Sequence, residues 1–336
     1  MKKILFVFEG IYNGGTEVAT INLIKKLNTN YICHYSYFDK ENSDKKVISS
    51  LNGISKEFIN DENKEYYYDN IIFCTSIVKD LKKYLKNIKS ENVFFWFHYF
   101  WEDQINFINE NKFNIDKIIS VSDSCTKKLK QEYNITKEII TINNIFDIEE
   151  IKNKSLETVN IKQEKNKIKF LSVGRIAPIK GYDKLEDIIK IFEKNHIDFE
   201  WYILGKANAF EKEFNKKIDN IVKQNDNIHI LGHKDNPYKY MKNVDYIIVL
   251  SQNETWSLVI TEAKILTTPC ITTNFEAAYE QIENKENGYI FDINNLKTFD
   301  DICKEIIKGK ENIISNLKKF KYNNEKQLQK WYNILN

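Results

Sequence analysis

Short apolar runs alternate with amphipathic stretches along nearly the whole of this 336-residue chain. The runs Ile4–Phe8, Tyr31–Tyr37, Asn70–Cys74, Val93–Phe97, Lys117–Val121 and Glu138–Ile142 have the length and the β-branched or aromatic content of buried strands. Between them lie stretches with apolar residues at helical spacing, such as Thr16–Leu27 and Ser76–Ile88. Few architectures accommodate that alternation. Parallel strands need crossover connections, and the crossover helices cover both faces of the sheet. A polar stretch rich in Lys, Asn and Glu, Asp147–Lys167, interrupts the pattern. It resumes with Ile168–Val173, Phe199–Leu204, Ile228–Leu231, Tyr246–Leu250, Cys270–Thr273 and Tyr289–Phe291. The chain therefore reads as two doubly wound α/β domains, 1–150 and 151–311. A helical tail, 312–336, follows, with Trp331, Tyr332 and Leu335 as a stripe that packs back on the first domain. Ligands of such folds sit outside the carboxyl ends of the strands, here in a crevice between the domains.

Composition removes several function classes. A formal charge of +2 is far from the basic excess of a nucleic-acid binder. No apolar run approaches the roughly 18 residues that span a bilayer. The apolar run at the start stops at Glu9, so it reads as a first strand, not a signal peptide. The five cysteines are scattered and form no C-x-x-C, which suits reduced thiols in a cytoplasmic protein. Arg175 is the single arginine among 50 basic residues. A lone guanidinium in a lysine-saturated chain marks a place where a planar fork cannot be replaced by a point charge.

Three loops carry chemistry. Gly10, Gly14 and Gly15 follow the first strand and open a helix, where backbone N–H groups can approach an anion. Their spacing fits neither G-x-G-x-x-G nor a P-loop, and a structural turn explains them equally well. Ser172–Gly181 follows the first strand of the second domain and carries Arg175 and Lys180, a fork and a point charge suited to a diphosphate. Ser251–Lys264 follows Tyr246–Leu250 and holds Glu254 and Glu262, eight residues apart. With a helix starting at Ser257, Glu262 lies about one and a half turns in and faces the same side as the loop. A carboxylate there suits two vicinal hydroxyls such as those of a ribose; paired carboxylates also serve glycoside hydrolysis, and spacing alone leaves both open.

Together the segments GGTE at Gly14–Glu17, SVGRIAPIKG at Ser172–Gly181 and NETWSLVITEA at Asn253–Ala263 resemble the family 4 retaining glycosyltransferases. NNIFD at Asn143–Asp147, Pro269, and EQI with NGYIF at Glu280–Ile282 and Asn287–Phe291 match weaker landmarks. The resemblance implies a GT-B fold, two Rossmann-like parallel-sheet domains facing a central cleft. It implies retaining transfer of a hexose or N-acetylhexosamine from a nucleotide diphosphate sugar, with UDP as the expected nucleotide. The implied acceptor is a glycan or lipid-linked glycan, as in cell-surface polysaccharide synthesis. By position, Arg175 and Lys180 neutralise the donor diphosphate, Glu254 contacts hydroxyls of the transferred sugar and His98 lies near that sugar; these four form the implied catalytic set. Gly14 and Gly15 bring N–H groups to the phosphates, Glu262 holds the ribose, and Ser257, Leu258 and Val259 complete the donor site. Thr255 and Ser257 stand where the family has glycine, and so does Thr267 before Thr268-Pro269. These departures bear on the sugar, not on the reaction class.

No D-x-D occurs in the chain, and Lys180 with Arg175 can do the work of a divalent ion, so neither metal nor further cofactor is expected. Two other readings stand beside transfer. One is a catalytically silent nucleotide-sugar-binding partner subunit, against which the intact Arg175, Lys180, Glu254 and Glu262 argue. The other is a Rossmann-type oxidoreductase, against which the missing G-x-G-x-x-G argues. Finally, Ser76–Ile88 predicts a helix whose Lys79, Lys82, Lys83 and Lys86 share an outer face, suited to peripheral contact with an anionic membrane.

Overall fold

The computed structural model describes residues 1–75, 85–100, 102–109, 115–162, 166–207 and 211–336. They form two compact units, Met1–Phe146 with Asn323–Asn336, and Asp147–Tyr322.

The first unit is built on a seven-stranded sheet ordered β3-β2-β1-β4-β5-β6-β7. Its strands are β1 (Lys3–Gly10), β2 (Ile32–Asp39), β3 (Lys56–Glu57), β4 (Tyr66–Phe73), β5 (Ile88–Phe97), β6 (Lys117–Ser120) and β7 (Glu138–Thr141). Every pairing is parallel. Ile4, Leu5, Phe6, Val7 and Phe8 are all fully buried, as a central strand covered on both faces requires. Leu5, Val7, Phe73, Phe95, Phe97 and Ile118 belong to one continuous core. The helix Asn324–Leu335 completes this unit. Asn324 clips the Phe146 peptide from both sides, accepting its N–H at 3.1 Å and donating to its carbonyl at 2.7 Å. Further along, Trp331 is fully buried and stands edge-on to Trp96 at 5.0 Å between ring centroids.

The second unit holds a six-stranded parallel sheet ordered β10-β9-β8-β11-β12-β13. Its strands are β8 (Ile168–Val173), β9 (Phe199–Leu204), β10 (Ile228–Ile230), β11 (Tyr246–Val249), β12 (Cys270–Thr273) and β13 (Gly288–Phe291). All six residues of β9 are buried, and Phe170 stacks on Phe192 at 4.7 Å in the aromatic centre of the core. Ser172, within β8, is structural: its hydroxyl donates to the Ile248 carbonyl at 2.8 Å and accepts the Trp201 indole N–H at 3.1 Å.

Thus the fold is α/β, with two parallel-sheet units in the strand order of doubly wound proteins. Several details differ from the sequence expectation. The two-residue edge strand β3 is too short and too polar to leave a periodic signal. The tail is not one helix: Glu311–Leu317 belongs to the second unit and Asn324–Leu335 to the first. Ile88, expected as the last inward position of a helix, instead opens β5 opposite Tyr66. Residues 76–84 of that expected helix, with Lys79, Lys82 and Lys83, lie outside the described residues. All five cysteines are buried free thiols, and among the described residues no helix is long and apolar enough to cross a membrane.

One turn carries strain that the sequence flagged. The helix Leu258–Ile265 ends with Thr267 N–H bonded to the Lys264 carbonyl at 3.1 Å and Thr268 N–H to Ala263 at 2.9 Å. That pairing is a Schellman turn, which places Thr267 in the left-handed region at φ 62°. A β-branched residue pays most there, and glycine nothing. Thr267→Gly is therefore expected to stabilise the protein by about 0.5–1 kcal/mol, a rise of roughly 1–4 °C in melting temperature by calorimetry. A lower melting temperature contradicts this account of the turn.

Candidate functional site

In the second sheet the strand order reverses between β8 and β11, so the loops leaving their carboxyl ends meet. They meet at backbone distance. Gly181, at φ 73°, lies so close to β11's exit that a Cβ would stand 1.8 Å from the Leu250 carbonyl oxygen. Only glycine satisfies both the conformation and the approach. The Gln252 N–H then bonds the Ile179 carbonyl across the loops at 3.1 Å. A third loop closes in from β9: a Cβ on Gly205 would lie 1.8 Å from the Gly174 carbonyl oxygen.

This contact brings the predicted charges together. Lys180 Nζ lies 2.6 Å from Glu254 Oε1, with both side chains largely buried. The same oxygen accepts the Ser251 hydroxyl at 2.8 Å. Lys180 is thereby held as a point charge at the strand ends. Arg175 is exposed on the β8 loop, and among the described residues it has no ion-pair partner. One cation is therefore oriented and the other available.

Glu262 sits in a different environment. It is buried on the helix Leu258–Ile265, where the Tyr238 hydroxyl donates to Oε1 at 3.3 Å. Burial pushes its carboxyl up to about 7, against the opposing effect of the Tyr238 hydrogen bond. The same proximity raises the Tyr238 phenol far above its ordinary value, burial first and the Glu262 charge next. The two glutamates therefore divide: Glu254 is ion-paired, and Glu262 is desolvated and met by a hydroxyl.

The N-terminus of that helix is unusual. Ser257 is extended, its side chain makes no capping bond, and no acidic residue lies in the first turn. Leu258 and Val259 follow it, half-buried. The peptide of Ser257 is gripped from outside by Gln281, whose amide accepts its N–H at 3.0 Å and donates to its carbonyl at 2.7 Å. Gln281 and Tyr238 were missed at the sequence level. Neither stands in a motif with a chemical reading, and only the fold carries them to the helix.

In the first unit, Gly14 is the extended N-cap residue of the helix Gly15–Leu27. Glu17 folds back there: its Oε1 accepts the Tyr12 N–H at 3.0 Å, and a Cβ on Gly14 would lie 2.9 Å from Oε2. A carboxylate thus folds against the loop before this helix, whereas the helix that follows Ser257 has no acidic residue in its first turn. His98 follows β5 and is buried against Trp96, with ring centroids 4.5 Å apart. Burial pushes its imidazole down to about 3, so it is neutral at ordinary pH.

The chain as a whole is similar to known proteins. Residues 153–327 match the family described as glycosyl transferases group 1. The capsular polysaccharide biosynthesis glycosyltransferase CapH of Staphylococcus aureus is 24% identical over 350 residues, covering 94% of each chain. An uncharacterized glycosyltransferase of Haemophilus influenzae is 27% identical over 233 residues, 66% of this chain and 61% of that one. The match therefore spans less than two thirds of the Haemophilus relative. The fold is shared with Anabaena HepE in complex with UDP and glucose, at TM-score 0.78, 18% identity and coverage of 100% and 99% of the two chains.

The environment of Glu262 fixes a pH dependence. Its carboxyl keeps its proton to about 7 when folded, against 4.5 as the ordinary value. A raised acid contributes stability that is complete below about 4.5 and lost as pH rises through about 7. Glu262→Gln removes that loss. In urea denaturation the variant should gain on the wild type by up to about 3 kcal/mol between pH 4.5 and pH 8. A difference that stays flat across that range contradicts the assignment.

Proposed function

Because the chain belongs to the group 1 glycosyl transferases, we propose that it is a retaining hexosyltransferase with a nucleotide diphosphate sugar as donor. The transferred group on this reading is a hexose or N-acetylhexosamine, and the acceptor a glycan or lipid-linked glycan. One observation carries the proposal: the 2.6 Å Lys180–Glu254 pair at the β8/β11 switch point, on the loop that also presents Arg175. A diphosphate needs cations fixed in advance, and this loop supplies a fork and a point charge. The UDP bound to HepE supports UDP as the nucleotide, and the name of CapH supports polysaccharide synthesis.

The chemistry follows from the leaving group. As the bond between the anomeric carbon and the donor phosphate oxygen breaks, negative charge gathers on the β-phosphate. Lys180, Arg175 and the uncapped N–H groups after Ser257 are the donors aimed at such charge, without reorganisation during the reaction. The acceptor oxygen then bonds the anomeric carbon on the face the phosphate leaves, and its proton passes to that phosphate. No protein nucleophile is assigned, and the two cations stand in for a divalent ion. Glu262 takes the ribose hydroxyls, and Glu254 the hydroxyls of the sugar while it orients Lys180. Gly14, Gly15 and His98 keep the donor-side roles that the family resemblance assigns them. For a lipid-linked acceptor, the reading includes salt-sensitive contact with an anionic membrane through Lys79, Lys82, Lys83 and Lys86.

The division between the carboxylates is tested by titration calorimetry with UDP and with UDP-sugars. Glu262→Gln should weaken both ligands, whereas Glu254→Gln, whose amide oxygen can still accept from Lys180, should cost UDP little and lose the part of affinity or rate that depends on the sugar. Equal losses for UDP in both variants refute the assignment.

Arg175→Lys should keep the charge and lose the fork. Turnover in a donor-hydrolysis or transfer assay is expected to fall about 100-fold, the scale of one lost transition-state donor. Near-wild-type turnover by this variant removes Arg175 from the proposed machinery.

A further inference from the structure

The turn at Ser257 is held by one side chain from 24 residues away in sequence. Gln281 is almost fully buried and ends the short helix Ala278–Gln281 that follows β12. Its carbonyl oxygen accepts the Ser257 N–H at 3.0 Å. Its amide nitrogen donates to the Ser257 carbonyl at 2.7 Å and to the Thr261 hydroxyl at 2.9 Å. The side-chain amide thus pairs with both backbone groups of one residue, as a neighbouring antiparallel strand does. Only an amide offers an acceptor and two donors in one plane: a carboxylate lacks the donors, and an aliphatic side chain lacks both. The clamp is itself anchored. The buried Lys264 ammonium donates to the Gln281 backbone carbonyl and lies 4.2 Å from the centre of the Phe320 ring.

We infer that Gln281 is a positioning residue for donor binding, fixing the Ser257 peptide so that the N–H groups opening the helix Leu258–Ile265 stay aimed at the diphosphate. Helices commonly secure this position with their own N-cap side chain, which consumes one of the N–H groups that an anion needs. Here the Ser257 hydroxyl caps nothing. The grip comes from outside and takes only the N–H and carbonyl of Ser257 and the Thr261 hydroxyl. The first turn is rigid and its remaining donors are left for a ligand. Glu262 rides on the same helix, so the clamp also sets the depth of the carboxylate proposed for the ribose. The loop's other end is tied down from β12, where the Thr273 hydroxyl donates to the Ser251 carbonyl. The segment carrying Glu254 is therefore fixed at both ends by residues that follow it in sequence.

This inference rests on reading the Ser257 turn as a diphosphate site, and the experiment separates the two. UDP is titrated by calorimetry into the wild-type chain, Gln281→Met, Gln281→Glu and Ile260→Val, with melting temperatures recorded for each. Gln281→Met keeps the volume and loses all three hydrogen bonds. Gln281→Glu keeps the acceptor and loses the donors, and it serves if the methionine variant does not fold. Ile260→Val is the structural control, since the Ile260 side chain is apolar and fully buried on the same helix, and the substitution trims one methyl group while keeping the backbone N–H. UDP is expected to bind wild type and to bind either Gln281 variant about tenfold more weakly or worse. Ile260→Val should lower the melting temperature while leaving UDP affinity within about twofold. Unchanged UDP affinity in the Gln281 variants overturns the inference. So does an equal loss of affinity in Ile260→Val, which makes the effect one of stability. A wild-type chain that binds no UDP sinks instead the reading of the turn as a UDP-diphosphate site.

Discussion

Everything proposed for the second unit depends on a backbone contact, the approach of Gly181 to the carbonyl of Leu250. Parallel strands β8 and β11 are neighbours with crossovers running away on opposite sides, so the chain leaves both through the same small space. A side chain at position 181 would push the loops apart. With glycine there, Gln252 bonds Ile179 and Lys180 reaches Glu254. The ion pair is thus a consequence of the packing. A largely buried pair of this kind contributes little net stability once desolvation is counted, which makes orientation of Lys180 the better reason for its presence.

Two carboxylates on one loop-helix segment end in opposite states for physical reasons. Glu254 meets an ammonium and a hydroxyl within the loop. Glu262 is turned inward, where burial holds its carboxyl near 7 and a phenol hydroxyl is its recorded partner. A carboxyl held this way is costly to ionise, and each hydroxyl that donates to it lowers that cost. Perturbed carboxyls of this sort collect at functional sites. The first unit shows the contrasting arrangement: Glu17 satisfies its own glycine loop, and His98 is kept neutral by burial.

Much of the architecture was legible because it depends on local periodicity. The strands Ile168–Val173, Phe199–Leu204 and Cys270–Thr273 coincide with their expected spans, since continuous apolar runs bounded by polar residues have little choice in a parallel sheet. The segment near Ile88 was misread because a lysine-rich run with apolar spacing suits a helix until it is seen that Ile88 pairs with Tyr66. The Thr267 turn was legible as a departure from glycine, and the structure supplies the reason in its positive φ.

By itself the sequence determined the two parallel sheets, and it set Arg175 with Lys180 on one loop and Glu254 with Glu262 on another. Each of these follows from residue type and spacing within a few neighbours. Only the tertiary structure decided that Lys180 pairs with Glu254 across 74 residues of chain, that Tyr238 meets Glu262, and that Gln281 holds Ser257. The physical reason is the same in each case. Short polar side chains carry no periodic signal, and their partners are chosen by which strand ends the topology sets side by side.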